Sequence, residues 1–136
     1  MLDIFAKYAT DETLENQGSW VPVGGGAKIL VARESSPAFV EKLNEVHERY
    51  KVALSVEGEE SNKFGTKLLV DIMAETLLLG WEGVAFKGQE FPYSRENAKT
   101  LLAIKDFRKV VQDASRNLDN FRAKLEEAKT EEAGNA

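Results

Sequence analysis

The segment from residue 63 to residue 79 is strongly apolar, and it constrains the fold more than any other stretch of the chain. Its spacing predicts a helix, capped by Ser61 or Asn62 and stopped by Gly80 in a left-handed conformation. A helix that is apolar over most of its circumference is usually central and covered on several sides. We therefore expect the other elements to pack around it. Its apolar residues are Phe64, Leu68, Leu69, Val70, Ile72, Met73, Leu77, Leu78 and Leu79.

Two glycine turns flanked by β-branched and aromatic residues predict two β-hairpins. The first covers residues 19–34, where SWVPV and AKILVARE flank the turn Gly24-Gly25-Gly26. Because Pro22 has no backbone N–H to donate, we expect the first strand at an edge of its sheet. The second hairpin is smaller and covers residues 81–93, with its turn at Lys87-Gly88-Gln89.

Three further helices are predicted from apolar residues at helical spacing. One starts at Ser36-Pro37, where the serine is expected to accept from the first free amides, and runs to Leu54. Ser94 is expected to cap a short helix, and Asp106 is the candidate cap of a last one, Phe107–Leu125. That last helix would be about 28 Å long at 1.5 Å per residue, which is long for so small a domain.

These elements predict a single-domain α+β fold that is mainly helical, with about four helices, an N-terminal β-hairpin and a small second hairpin. Residues 1–18 are expected to be partly ordered, because the helical spacing of Leu2, Phe5 and Tyr8 is followed by poor helix formers. The globular domain is expected to span residues 19–125. Residues 126–136 are rich in glutamate, lack the apolar spacing and are predicted to form an acidic flexible tail.

Composition disfavours several classes of function. The 136 residues include no cysteine and one histidine, His47, so disulfides, thiolate sites and histidine-rich metal centres are not expected. A formal net charge of −5 without a dense Lys/Arg run disfavours binding to nucleic acid. No apolar stretch approaches the roughly 20 residues that span a bilayer, and the N-terminus lacks a signal-peptide pattern. We expect a soluble intracellular protein that binds neither nucleic acid nor membrane.

The residues that carry chemistry in other proteins form no strong catalytic pattern here. Gly24-Gly25-Gly26 precedes a strand-like run and not the helix N-terminus that a phosphate site needs. His47 is interpreted as a partly exposed helix residue, with general-base catalysis as the alternative. Asp71 and Glu75 are interpreted as the polar stripe of the central helix, with metal binding or acid–base chemistry as the alternative. We therefore expect a protein that is not an enzyme and that needs no cofactor and no metal.

Two surfaces are candidates for contact with other proteins, although the same residues also suit a core. One is the last helix, and the other is the edge strand, which an added strand can extend. An aromatic group around the second hairpin, centred on Trp81, is interpreted as a local core that closes the end of the central helix. The candidate contact residues are Trp20, Val21, Val23, Phe107, Val111, Leu118 and Phe121.

The order of these pieces resembles the tail assembly chaperones of long-tailed, siphovirus-type bacteriophages. The resemblance covers residue 18 to about residue 125. Its most distinctive piece is Gly80-Trp81-Glu82-Gly83-Val84, followed by Pro92-Tyr93-Ser94. The full succession is VAR at residues 31–33, PAFVEKLNEVHERY, an acidic connector, LLVDIMAETLLLGWEGV, FPYSRENAKTLL and DFRKVVQDASRNLDNFR.

The resemblance implies a non-catalytic protein that binds the tape measure protein during tail morphogenesis, keeps it soluble and helps recruit major tail tube protein subunits. It also implies a mainly helical fold with small β-hairpins and self-association. The expected location is the cytoplasm of the infected bacterial host, and the protein is expected to be absent from the mature virion. Many members are made in two lengths by ribosomal frameshifting, and this sequence corresponds to the shorter product.

Two other functions are compatible with the sequence. The first is a structural phage tail or neck protein, such as a tail-completion subunit, that is retained in the virion. The second is an enzyme or a nucleic-acid binder. Detection of the chain in purified particles distinguishes a structural subunit from a chaperone, and a salt-dependent DNA-binding assay tests for phosphate contacts.

Overall fold

The computed structural model describes residues 1–124. Within that range, four helices have eight or more residues and two are shorter, and the strands form two small antiparallel sheets in one domain. The predicted fold class is therefore confirmed. In chain order the elements are α1 (Ile4–Tyr8), α2 (Glu12–Gln17), β1 (Ser19–Gly24), β2 (Ala27–Val31), α3 (Pro37–Ser55), α4 (Glu59–Thr76), β3 (Leu78–Glu82), β4 (Ala85–Phe86), β5 (Gln89–Glu90), α5 (Arg95–Leu102), α6 (Lys105–Arg116) and a 3₁₀ turn (Leu118–Phe121).

Both predicted hairpins are present. β1 and β2 are joined by the glycine turn, in which all three glycines have positive φ. β2 lies between β1 and β3, so β1 is an edge strand, as Pro22 predicted. β4 and β5 are joined by Lys87 and Gly88, whose positive φ angles of 53° and 80° are typical of a tight hairpin turn.

The central helix is shorter than its apolar pattern predicted. α4 begins at Glu59 and has Gly58 in the N-cap position, so the predicted caps Ser61 and Asn62 lie inside the helix. It ends at Thr76, and residues 78–82 form strand β3. Gly80 pairs with Leu30 and has no positive φ, so the predicted left-handed stop at Gly80 is wrong. Periodicity cannot separate a short buried strand from a continuing buried helix, and pairing with β2 decides the outcome.

The last helix is also shorter than predicted. α6 ends at Arg116 and not at Leu125, and its 12 residues span about 18 Å. Asn117 is extended, and its side chain accepts from the amide of Asp119 to start the 3₁₀ turn. Asparagine favours such local bonds over helix continuation. The predicted length of the last helix is therefore wrong, and the predicted flexible tail 126–136 lies outside the described residues.

Only one of the predicted serine and aspartate caps makes its hydrogen bond. The Ser94 hydroxyl accepts from the amide of Asn97 at 3.0 Å, which confirms the start of α5. Asp106 lies in the first turn of α6, where Ile104 occupies the N-cap position. Ser36 precedes α3 as predicted, but its side chain makes no cap bond, and its buried Oγ has no hydrogen-bond partner.

Replacing Ser36 by alanine should therefore change the free energy of unfolding by less than about 1 kcal/mol, because no hydrogen bond is lost and a buried hydroxyl is removed. The matched variant Ser94→Ala loses the N-cap hydrogen bond of α5 and should lower the free energy of unfolding by about 1 kcal/mol. Urea titration followed by circular dichroism measures both. A larger loss for Ser36→Ala than for Ser94→Ala would contradict the assignment.

The core is centred on α4, which packs against α3, α5 and β3. Trp81, at the end of β3, closes this core on one side. Its ring stacks on Phe91 at a centroid distance of 6.1 Å and meets the Tyr93 ring edge-on at 5.0 Å. The interpretation of the aromatic group as a local core is confirmed. The buried members of the main apolar cluster are Ile29, Val31, Ala32, Phe39, Val70, Ile72, Met73, Ala74, Leu77, Leu78, Trp81, Ala98, Leu101, Leu102, Val111 and Ala114.

Candidate protein-binding surfaces

The predicted contact residues of β1 lie mostly at the surface. Trp20 is 44% exposed and Val23 is 37% exposed, whereas Val21 is half-buried and packs against the main cluster. The indole of Trp20 lies under the Lys28 ammonium, 4.7 Å from the ring centroid. Lys28 also forms an ion pair with Glu82 across the sheet at 3.3 Å. The exposed edge of the first sheet therefore presents one large aromatic side chain beside a paired charge.

The predicted contact residues after the second hairpin are less accessible. Phe107 and Leu118 are half-buried, and Phe107 packs against the main cluster. Val111 and Phe121 are completely buried. In this conformation neither Val111 nor Phe121 is available to a partner, because α6 turns its apolar face inward and the chain folds back after Asn117.

A surface that the sequence did not single out lies on the helical hairpin formed by α3 and α4. The main packing partner of α3 is α4, and its only buried residue is Phe39. The first part of α4, residues 59–69, also contains no buried residue. Near the hairpin tip, Tyr50 and Phe64 make an edge-on ring contact at 5.3 Å. This two-helix arm therefore leaves much of its apolar seam uncovered by the rest of the described chain.

An apolar groove opens along this seam. It contains a pocket of about 100 Å³, several times the roughly 30 Å³ per molecule in liquid water. The two helices lie close together at Gly65, where an added Cβ would be 3.5 Å from Leu54, in ordinary van der Waals contact. Val40 and Leu43 are each 40% exposed on α3, and Leu43 also lines the pocket. The lining residues are Leu43, Val46, His47, Leu54, Gly65, Leu68, Leu69 and Ile72.

One sequence signal could have identified this arm. Val40 is an apolar residue outside the predicted inward stripe of α3, on a helix face that is otherwise polar. Val52 of α3 is also off the stripe and 76% exposed, and Val56, directly after the helix, is 61% exposed. Such exposed valines add nothing to the core. They indicate a helix whose surface is more apolar than folding requires.

The candidate catalytic or metal-binding residues do not converge on one site. Asp71 and Glu75 form surface ion pairs, and His47 lies in the groove. Asp71 pairs with Lys99 at 3.8 Å, and Glu75 pairs with Lys42 at 3.6 Å, so each carboxylate faces a lysine of a neighbouring helix. This supports the interpretation of both as a polar stripe. His47 is exposed and belongs to the groove. Across residues 1–124 there is no group of three or more His, Cys, Asp or Glu side chains placed to hold a metal ion.

An open cleft of about 610 Å³ lies beside the second hairpin, between residues 81–85 and 90–93. Its polar groups already bond within the protein. The Trp81 Nε1–H donates to the Phe91 carbonyl at 2.6 Å, and the Tyr93 hydroxyl donates to the Leu78 carbonyl at 2.8 Å. Burial raises the pKa of Tyr93, with a smaller opposing effect from Arg95. These groups hold the local core together, and Glu82 is paired with Lys28, which leaves mainly Glu90 to face a ligand.

The family profile of the YdaY prophage protein matches residues 34–135, which is about three quarters of the chain. The protein belongs to this family and is therefore prophage-related. Neither the curated proteins nor the solved structures gave a significant match. Among the described residues, no helix is long and apolar enough to cross a membrane.

Proposed function

We propose that this prophage protein is a tail assembly chaperone. It would bind the tape measure protein, keep it soluble and help recruit major tail tube protein subunits in the cytoplasm of the infected host, without entering the mature particle. Membership of a prophage family supports a phage role. The sequence resemblance over residues 18 to about 125 supports the chaperone class within that role.

The observation that carries the proposal is the apolar groove of the α3–α4 arm. Helical hairpins with an uncovered apolar seam bind the apolar face of an amphipathic helix in a recurring recognition mode. A chaperone for a long helical client needs surfaces of this kind, and it needs them accessible in its folded state. Repeated weak contacts along a repetitive client then add up to strong overall binding.

A groove variant tests this proposal directly. Leu43→Asp places a charge at the mouth of the pocket, and we expect it to weaken capture of the tape measure protein at least tenfold, about 1.4 kcal/mol. Val40→Asp, at a 40% exposed position that neighbours Leu43 on the surface of α3, should act in the same direction with less effect on folding. Co-expression with the tape measure protein of the same prophage, followed by affinity capture and sedimentation of aggregates, measures binding and solubility.

Val52→Asp is the matched control. Val52 lies nine positions after Leu43, half a turn around α3, and is 76% exposed. It should leave capture unchanged, and circular dichroism checks that all three variants remain folded. If the unmodified protein captures the client and folded Val40→Asp and Leu43→Asp do so equally well, the groove is not the contact site. Failure of the unmodified protein to bind the client, together with its presence in purified particles, would favour a structural tail or neck subunit.

A further inference from the structure

We propose that residues 3–17 form a clasp, a segment that closes over an apolar site centred on Phe121 and uncovers it when it opens. Phe121 is completely buried, yet it does not belong to the main apolar cluster around α4. It lies in the 3₁₀ turn after α6, and that turn contacts β1 and α2. The ring is therefore covered separately from the core.

The clasp closes through a short two-stranded bridge between the two ends of the described chain. The amide of Asp11 donates to the Phe121 carbonyl at 2.9 Å, and the amide of Ala123 donates to the Ala9 carbonyl at 3.0 Å. These bonds flank the antiparallel pair Thr10 and Arg122. The Arg122 guanidinium also donates to the Ala6 and Lys7 carbonyls at the end of α1.

A second set of polar contacts lies over the Phe121 ring. The Arg33 guanidinium lies 5.9 Å from the ring centroid. Glu15 of α2 holds Arg33 by an ion pair at 2.7 Å, and the Thr10 hydroxyl donates to the same carboxylate at 3.0 Å. Part of the cover of Phe121 is thus an ion pair whose carboxylate is supplied by α2.

The clasp has little apolar contact to keep it closed. Neither α1 nor α2 contains a buried residue. The large apolar side chains near the N-terminus remain 46–60% exposed from Leu2 to Tyr8. A segment that is held by a few polar bonds and buries no side chain opens at much lower free energy than the whole domain. Opening would expose Phe121 next to the half-buried Leu118.

The opened site would present aromatic and aliphatic side chains to an apolar partner. We infer that this partner is the client of the proposed chaperone, and this part of the inference rests on the proposed function. The clasp would then act as an autoinhibitory contact that limits exposure of apolar surface when no client is bound. Opening itself is a property of this chain and is tested without any client.

A disulfide lock tests the clasp. Thr10 and Arg122 face each other as a non-hydrogen-bonded antiparallel pair, in which the Cα atoms are about 4.5 Å apart, within the range that a disulfide spans. The chain has no cysteine, so the double variant T10C/R122C forms no competing bond. The reduced form of the same variant is the control, because it lacks the Arg122 contacts and is free to open.

Hydrogen exchange of the unmodified protein gives the first result. We expect the amides of Asp11 and Ala123 to exchange at least a hundredfold faster than those of buried strand β2, and the oxidised variant to slow them at least tenfold relative to its reduced form. An apolar fluorescent dye should bind the reduced form more strongly than the oxidised one. Exchange of Asp11 and Ala123 at the rate of the core would overturn the clasp, whatever the client does.

Client capture gives the second result. The oxidised variant should bind the tape measure protein at least tenfold more weakly than the reduced variant. If hydrogen exchange shows that the clasp opens but the oxidised and reduced variants capture the client equally well, the clasp does not control client binding. If neither form nor the unmodified protein captures the client, the proposed function is wrong, while exchange and dye binding still decide whether the clasp opens.

Discussion

Replacing Trp81 by alanine is expected to lower the free energy of unfolding by about 3–5 kcal/mol, because a large buried ring is removed from the closed end of the core. The side chain is 6% exposed and contacts the rings of Phe91 and Tyr93. The substitution also deprives the Phe91 carbonyl of the indole N–H that donates to it. Urea denaturation followed by circular dichroism measures the loss.

The chain contains a second tryptophan that serves as the control. Trp20 is 44% exposed on the edge strand, where its ring lies beside the Lys28 ammonium and reaches toward Gly80 of β3. Trp20→Ala should therefore destabilise by less than about 1 kcal/mol. Equal losses at the two positions would contradict the assignment of Trp81 to the core and of Trp20 to the surface.

The hairpins could be predicted from sequence because their signals are local. The glycines of both turns permit the positive φ that a tight turn needs, and Pro22 lacks a backbone donor for a second neighbouring strand; the structure follows these local signals. The cap at Ser94 is local in the same sense. Ser36 differs because burial beside the start of α3 leaves its hydroxyl with no partner, and burial is a tertiary property.

The ends of the two long apolar segments could not be predicted, because partners distant in sequence decide them. Residues 78–82 continue the apolar run of α4. They form a strand and do not extend the helix, because they pair with β2. After Arg116 the helical spacing continues through Leu118 and Phe121, yet Asp11 and Ala9 provide backbone bonds that a helix would forgo. No window of local sequence contains either partner.

The same limit explains which contact residues were found. Trp20 and Val23 could be found because Pro22, a local feature, predicts the edge strand on which both side chains are exposed. The helical spacing of Val111 and Phe121 suits an exposed stripe as well as a core stripe. Only the packing of the folded chain shows that both side chains are buried. The groove needs two helices side by side, so the α3 pattern alone could not reveal it.

Gly18→Ala is expected to destabilise the domain by about 2–6 kcal/mol, from two separate causes. Gly18 has a φ of +103° and a ψ of 150°, a backbone region essentially restricted to glycine, and an L-residue held there is strained by about 1–3 kcal/mol. An added Cβ would also lie 2.8 Å from Cγ of Leu30, so the side chain must shift in a packed site, at a cost of about 1–3 kcal/mol. Thermal and urea unfolding measure the sum.

Two further variants separate these causes. Gly25 has a φ of +62° with nothing within 4 Å of an added Cβ, so Gly25→Ala should show the backbone strain alone. The double variant G18A/L30A lacks the clashing side chain. Its loss of unfolding free energy should be at least about 1 kcal/mol smaller than the sum of the losses in the two single variants. Strict additivity would show that Leu30 yields without cost and that strain alone keeps glycine at this position. Because Gly18 joins α2 to β1, a large clash would also mean that Leu30 fixes the base of the clasp, so that opening must occur on its N-terminal side.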